Sequence, residues 1–172
     1  LPGGRQTMEL QGQAAIVTGG ASGLGGATAE MLAKAGAKVA IFDMNAEMGE
    51  AKAAEIGGKF FKVNVTDENA VATAIADAEG VHGKARILVN CAGIGPPAKV
   101  VSREGDALPL DSFAGVINVN LLGSFNVLSK FAAALHKADP IGEERGVIIN
   151  TASVAAFDWS RAAALTARSS MM

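Results

Sequence analysis

The chain has 172 residues, 49% of them hydrophobic, which is enough for one domain with a sizeable core. Its formal net charge of −2 argues against a nucleic-acid-binding surface, and no apolar run approaches the ~20 residues that span a bilayer. The single cysteine, Cys91, excludes an internal disulfide and favours a reducing compartment, and no Cys/His cluster has the spacing of a metal site.

Short apolar runs alternate with amphipathic runs along the chain. The strands predicted in this way are 13–18, 38–42, 59–63, 86–89 and 146–150. The predicted helices are 23–35, a helix capped by Asn45, a helix from about 68 to 81, and a long helix over 112–137 capped by Asp111. Residues 94–109 are expected to form a loop over a site. The alternation predicts an α/β fold, a doubly wound, Rossmann-like parallel sheet in a three-layer α/β/α arrangement.

The first strand ends in a glycine-rich turn, Thr18-Gly19-x3-Gly23-x-Gly25, and a helical pattern follows it. Glycines let the backbone come close to a pyrophosphate, and the N–H groups at a helix start can bind that group. The spacing differs from the common Gly-x-Gly-x-x-Gly fingerprint, and any tight strand-to-helix connection also favours glycine. The turn therefore indicates a phosphate site only together with other signals.

Asp43 ends the second strand, 24 residues after Gly19. In a dinucleotide-binding fold such a carboxylate accepts hydrogen bonds from the ribose hydroxyls of the adenosine. A 2′-phosphate at ~4 Å would be repelled by about 4 kcal/mol at an effective dielectric of ~20, so NAD is favoured over NADP. The alternative is that Asp43 only caps the next helix.

Small and polar residues follow the fourth and fifth strands. Asn90-Cys91-Ala92-Gly93 leaves room for a ligand at the carboxyl edge, although it is also compatible with a simple turn. Cys91 is expected to be a small buried filler, since no neighbouring cation could lower its pKa. Ser153 could bond a substrate carbonyl or cap a helix. His82 and His136 are expected to be solvated surface residues.

Asn120 lies in the middle of the long predicted helix. Asparagine is a mediocre helix former, so its presence there needs a reason. It is either a core amide bonded to the backbone or an amide that holds water in a proton relay.

These motifs, in this order and spacing, resemble the short-chain dehydrogenase/reductase family. Within that family, residues 18–25, 89–94 and 145–157 are similar to the type-2 3-hydroxyacyl-CoA dehydrogenases, also known as a 17β-hydroxysteroid dehydrogenase. The resemblance implies NAD as cofactor, a 3-hydroxyacyl-CoA or hydroxysteroid as small-molecule substrate, and Ser153 and Asn120 as catalytic residues. The cofactor-binding residues that the motifs and the resemblance indicate are Gly19, Ser22, Gly23, Leu24, Gly25, Asp43, Asn64, Val65, Asn90, Cys91, Ala92 and Gly93.

The chain departs from the family at two places. Asn64 stands where the family has Asp beside the adenine, and it keeps a carbonyl acceptor. The family's catalytic Tyr and Lys would fall at Thr166 and Ser170, the sequence contains no Tyr, and no Lys follows Lys137. Activity is therefore expected to be impaired. One alternative is a non-catalytic NAD-binding fragment or interaction module. Another is an enzyme similar to 3-oxoacyl-carrier-protein reductases, which Asp43 disfavours because those usually use NADP.

Three segments are expected: a disordered extension over residues 1–7, an NAD-binding domain over 8–157, and an atypical tail over 158–172 that suggests a C-terminal truncation or frame shift. The resemblance implies a homotetramer for the intact family, but the missing C-terminal part argues against that assembly for this chain. The compartment is expected to be cytoplasmic, or the mitochondrial matrix in a eukaryote, with no membrane or nucleic-acid partner.

Overall fold

The computed structural model describes residues 9–96 and 98–152, which form a parallel sheet with helices on both faces. The strands are β1 Ala14–Thr18, β2 Lys38–Asp43, β3 Lys59–Lys62, β4 Ala85–Asn90 and β5 Val147–Asn150. Their order is β3-β2-β1-β4-β5, and all neighbours are parallel. The strand order reverses between β1 and β4, where doubly wound sheets bind their ligands. The predicted fold class is confirmed.

Five α-helices connect the described strands: α1 Gly23–Lys34, α2 Ala46–Ile56, α3 Glu68–His82, α4 Leu110–Ile117 and α5 Ser124–His136. A π-helical segment, Asn118–Gly123, joins α4 to α5 into one continuous rod. The prediction that Asp111 caps this rod is wrong. Pro109 is the N-cap, because the bond from Ser112 N–H to the Pro109 carbonyl (3.1 Å) already closes the first turn, and Asp111 lies within that turn.

The hydrophobic core has two halves, one on each face of the sheet. Because side chains alternate along a strand, Ile16 faces the helices α3 and α5, whereas Val17 faces α1 and α2. All five residues of β1 are buried, as expected for a central strand covered on both faces. The first half holds the larger side chains, among them Phe42 and Phe131. Both halves are anchored on β1 and β4, so the carboxyl ends of these strands are held rigidly.

By length and composition, the rod Leu110–His136 is the one helix among the described residues that could cross a membrane. The core helix of a soluble protein passes the same test, so this finding is weak evidence. Val127, Phe131 and Leu135 of α5 are buried against the sheet and α3, whereas α4 has no buried residue. The second half of the rod is therefore a core helix of this domain.

His82 ends α3 and differs from the predicted surface residue. Its side chain is partly buried, and its Nε2 atom is enclosed without a hydrogen-bond partner among the described residues. Burial lowers the pKa of His82, and the nearby positive charges of Lys38 and Lys59 lower it further, against the opposing effect of the Val39 carbonyl. The protonated imidazolium is thus disfavoured in the folded chain.

Replacement of Phe131 by Ala should reduce the free energy of unfolding by about 3–5 kcal/mol, because a fully buried aromatic ring leaves a cavity. Phe125 lies on the same helix with 62% of its surface exposed and offers a matched control. Phe125→Ala should change the free energy by less than ~0.5 kcal/mol. Urea unfolding monitored by circular dichroism measures both, and similar losses in the two variants would contradict the packing described for α5.

Folding stability should depend on pH through His82. Its pKa is lower in the folded chain than in the unfolded one, so below about pH 6.5 the unfolded chain binds more protons and stability falls. The contribution of neutral His82 to the free energy of unfolding is fully present above that pH and is lost as the pH falls towards the pKa of the folded chain. His82→Gln should flatten the stability curve between pH 7.5 and 5, as measured by urea unfolding, whereas an unchanged slope would show that His82 has no such effect.

Candidate functional site

The glycine turn after β1 packs so closely against neighbouring backbone that two of its positions have no space for a side chain. Gly19 and Gly23 have φ values of 64° and 55°, a conformation that favours glycine. A Cβ atom at Gly19 would lie only 2.8 Å from the Cα atom of Ala92, and one at Gly25 would collide with the Gly19 carbonyl. The turn therefore contacts both its own helix and the end of β4.

The start of α1 lies at the open side of this turn. Ser22 is the N-cap residue, but its hydroxyl makes no capping hydrogen bond. Ser22, Gly23 and Leu24 are all exposed. The first N–H groups of a helix have no partner inside the helix, and the helix dipole adds positive potential there. An anionic group such as a pyrophosphate matches this arrangement.

Asp43 at the end of β2 reaches the glycine turn. Its Oδ2 atom accepts a hydrogen bond from Ala21 N–H (3.1 Å), and its Oδ1 atom accepts one from Asn45 N–H (3.0 Å). The capping of α2 is done by Asn45, whose side chain accepts from Met48 N–H. None of the described Lys or Arg residues forms an ion pair with Asp43. The carboxylate thus lies beside the turn, half-buried, rather than serving as a helix cap.

The hydroxyl of Thr18 holds the ends of β1 and β4 together. It accepts hydrogen bonds from Cys91 N–H and Ala92 N–H, both at 3.1 Å, and lies 3.4 Å from Asn90 Oδ1. The Asn90 amide donates in turn to Asn150 Oδ1 (2.9 Å) at the end of β5. Sequence reasoning gave no separate role to Thr18 or Asn150, although polar residues at the carboxyl ends of buried strands were the available signal.

The remaining residues after β4 form the floor of this edge. Cys91 and Ala92 are partly buried, and Gly93 is exposed. Burial raises the pKa of the Cys91 thiol, and a contact with Thr28 opposes the shift only in part. The thiol is therefore protonated at neutral pH, which agrees with a packing role and not with that of a nucleophile.

Asn120 lies within the π-helical segment and forms two hydrogen bonds with the loop after β4. Its Oδ1 atom accepts from Ile94 N–H, and its Nδ2 atom donates to the Ile94 carbonyl, both at 2.8 Å. The side chain thus bonds backbone groups, but Asn120 is exposed and does not lie in the core, and its role in a proton relay stays a prediction. The backbone carbonyl of Asn120 accepts a hydrogen bond from the Ser124 hydroxyl (2.8 Å).

The loop after β3 contains Asn64 and Val65. The exposed Asn64 side chain accepts hydrogen bonds from the N–H (3.1 Å) and the hydroxyl (2.9 Å) of Thr66, so it closes a local turn. Val65 is buried, and its carbonyl accepts a hydrogen bond from the side chain of Asn126 (2.7 Å). Sequence reasoning did not single out Asn126, whose buried position in the helix gave no distinct signal.

Ser153 lies outside the described residues. Within 9–96 and 98–152, no group of three or more His, Cys, Asp or Glu side chains could hold a metal ion. The other predicted site residues follow β1, β2, β3 and β4 or start α1, and Asn120 joins them from the rod, so all of them lie at one edge of the sheet. A bare glycine turn, a helix start and a carboxylate at this edge can together hold a dinucleotide.

Comparison with known proteins agrees with this architecture. The family model for the short chain dehydrogenase matches residues 13–165. The 3-hydroxyacyl-CoA dehydrogenase type-2 of Homo sapiens is 44% identical over 153 residues, which are 87% of this chain and 59% of that protein. The protein of the same name from Drosophila melanogaster is 43% identical, over 87% of this chain and 60% of its own length. The chain thus spans about three fifths of these relatives.

A solved structure shows the same likeness. The crystal structure of 3-hydroxyacyl-CoA dehydrogenase type-2 from Mycobacterium avium superimposes with a TM-score of 0.81 and 36% sequence identity, over 94% of this chain and 66% of that one. The family model covers most of the chain, and the relatives named above are more than 40% identical over 87% of it. The chain therefore belongs to the short chain dehydrogenase family.

Proposed function

We propose that this chain binds NAD(H) along the carboxyl edge of its sheet and that its reaction is the oxidation of 3-hydroxyacyl-CoA thioesters, with slow turnover. One observation carries the cofactor assignment: the hydrogen bond from Ala21 N–H to Asp43 Oδ2 (3.1 Å). It places a carboxylate directly beside a turn suited to phosphate groups. The relatives named 3-hydroxyacyl-CoA dehydrogenase type-2 support the substrate class.

The residues present fit NAD(H) in shape and charge. Any side chain at Gly19 or Gly25 would collide with neighbouring backbone, so the close packing of the turn needs glycine at both positions. Gly23 at the start of α1 faces open space, in which a pyrophosphate could lie. The Asp43 carboxylate matches two ribose hydroxyls and would repel a 2′-phosphate. Val65 and the segment Asn90–Gly93 would border the adenosine and the remainder of the cofactor.

When bound, NAD⁺ supplies a hydride acceptor for the carbon that carries the substrate hydroxyl. In the reaction proposed here, Ser153 bonds the substrate oxygen and Asn120 keeps the loop after β4 in position through Ile94. The sequence contains no Tyr to take the hydroxyl proton. That proton would pass to solvent without a positioned base, which makes the step slow.

A second candidate function is that of a non-catalytic NAD-binding module. Thr166 and Ser170, which stand where the family resemblance implies Tyr and Lys, favour it. The part of the proposed site for the adenosine and the pyrophosphate does not need the Tyr and Lys side chains, because the glycine turn, Asp43 and the end of β4 form it. Binding without turnover is therefore chemically consistent with the described residues.

The chain should bind NADH at least tenfold more tightly than NADPH, as measured by titration calorimetry. Asp43→Ala should weaken NADH binding and narrow that preference, because it removes both the ribose acceptor and the repulsion of a 2′-phosphate. Asp43→Asn should narrow the preference while keeping an acceptor for Ala21 N–H. Asp77→Ala, which removes an exposed carboxylate from α3, is the matched control and should change neither affinity. Equal affinities of the unmodified chain for both cofactors would refute the role of Asp43.

The purified chain should oxidise 3-hydroxybutyryl-CoA with NAD⁺ at a rate roughly 10²–10⁴-fold below that of an intact relative, since a positioned acid/base contributes that factor. NADH absorbance measures the rate. Ser153→Ala should lower any residual kcat further without changing NADH affinity. A rate equal to that of the relative would overturn the proposal of slow turnover, and NADH binding with no detectable rate would support the binding module.

A further inference from the structure

We propose that Asn126 is a positioning residue for the loop 63–67 and thereby sets the affinity for the adenosine half of the cofactor. The ligand part of this inference rests on the proposed function. The structural part is independent of that function, because it concerns only the contacts between α5 and the loop that joins β3 to α3. Neither the motifs nor the family resemblance assigned a role to Asn126.

The amide of Asn126 has a fixed orientation. The residue is buried, with 8% of its surface exposed, and its Nδ2 atom donates to the Val65 carbonyl at 2.7 Å. Its Oδ1 atom accepts a hydrogen bond from the Lys130 ammonium one turn further along α5. Because an ammonium has donors only, Oδ1 must face Lys130, and the NH₂ group must face Val65. A flipped amide would place Oδ1 against the Val65 carbonyl oxygen and the NH₂ group against the Lys130 ammonium.

Lys130 links Asn126 to the start of helix α3. Its Nζ atom lies 3.9 Å from Glu68 Oε2, in the first turn of α3. Residues 63–67 lead directly into that turn, and Asp67 caps it by accepting from Ala70 N–H (2.9 Å). The loop is therefore held at its middle by Asn126, and its exit is tied to the same side of α5 through Lys130.

Gly123 supplies the second contact with the loop. A Cβ atom at this position would lie 2.6 Å from Val65 Cγ2, so the backbone of the π-helical segment lies directly against the Val65 side chain. Val65 is thus fixed at its carbonyl by Asn126 and at its side chain by Gly123. Its neighbour Asn64 is turned back on Thr66.

Among the hydrogen bonds of the described residues, that of Asn126 joins the middle of this loop to the rest of the fold, and the buried Val63 and Val65 side chains pack in the core beside it. The bond from Val63 N–H to the Asp43 carbonyl (3.0 Å) is the last ladder-like contact with β2. After it, the bond from Asp67 N–H to the Asn64 carbonyl (3.0 Å) only closes the turn on itself. The Val65 carbonyl therefore depends on a side chain, and a buried carbonyl that loses its only donor is costly.

The first test measures the loop without any ligand. Asn126→Asp keeps the shape and the acceptor for Lys130, but it places an oxygen opposite the Val65 carbonyl. Asn126→Leu removes both hydrogen bonds, and it keeps the test valid if the aspartate variant does not fold. In either variant, hydrogen exchange of the Thr66 and Asp67 N–H groups, which bond the side chain and the carbonyl of Asn64, should be about tenfold faster, the effect of one lost hydrogen bond.

Ser129→Ala is the matched control. Among the described residues, the Ser129 hydroxyl bonds only the backbone carbonyl of Asn126 in the same helix (3.1 Å), so its removal should leave exchange at Thr66 and Asp67 unchanged. Exchange at Ile94, which Asn120 holds, should also stay unchanged in all three variants. Unchanged exchange at Thr66 and Asp67 in both Asn126 variants would refute the positioning role.

The second test separates the two halves of the cofactor by calorimetry with AMP and with NMN. Asn126→Asp should weaken AMP binding about tenfold and leave NMN binding within twofold. A change shared equally by the two ligands, or faster exchange with unchanged AMP affinity, would show that Asn126 is only structural. If the unmodified chain binds neither AMP nor NADH, the proposed function and the ligand part of this inference both fail, whereas the exchange result still decides whether Asn126 holds the loop.

Discussion

The close approach of the glycine turn to the end of β4 is the constraint on which the candidate site depends. Gly19 faces the backbone of Ala92 with no space for a side chain, and Thr18 bonds the N–H groups of Cys91 and Ala92 in the same place. The two contacts bring the glycine turn and the end of β4 together at the point where the strand order reverses. A larger residue at position 19 would move these segments apart and also require a strained backbone.

Much of this arrangement could be predicted from local patterns. The strands are short, apolar and followed by Gly, Asp or Asn, and these signals gave the fold, the turn and the position of Asp43 at the carboxyl edge. The start of the long helix was missed because Asp111 has the chemistry of a cap, whereas the actual cap, Pro109, has a fixed φ and no side-chain acceptor. His82 was missed because its enclosure depends on β2 and β3 and not on its own helix.

The roles of Asn120 and Asn126, two of the three asparagines in the rod, could not be predicted from the sequence. Both are mediocre helix formers with side chains that bond backbone groups, but their partners, Ile94 and Val65, are 26 and 61 residues away. The residue pattern of the rod predicts one regular helix and does not indicate the π-helical segment between α4 and α5. Such segments are rare and are frequently found at functional sites. Here Asn120 of the segment contacts the loop after β4, and Gly123, which ends the segment, contacts the loop after β3.

The hydrogen bonds around the candidate site have a consequence for the kinetics of binding. Thr18, Asp43, Asn120 and Asn126 each bond backbone groups of the protein itself, so the edge of the sheet is assembled before any ligand arrives. A preorganised site loses little conformational entropy when it is occupied. Association with a dinucleotide would then be controlled by diffusion and charge and not by the folding of a loop, and differences in affinity between ligands would arise mainly from their rates of dissociation.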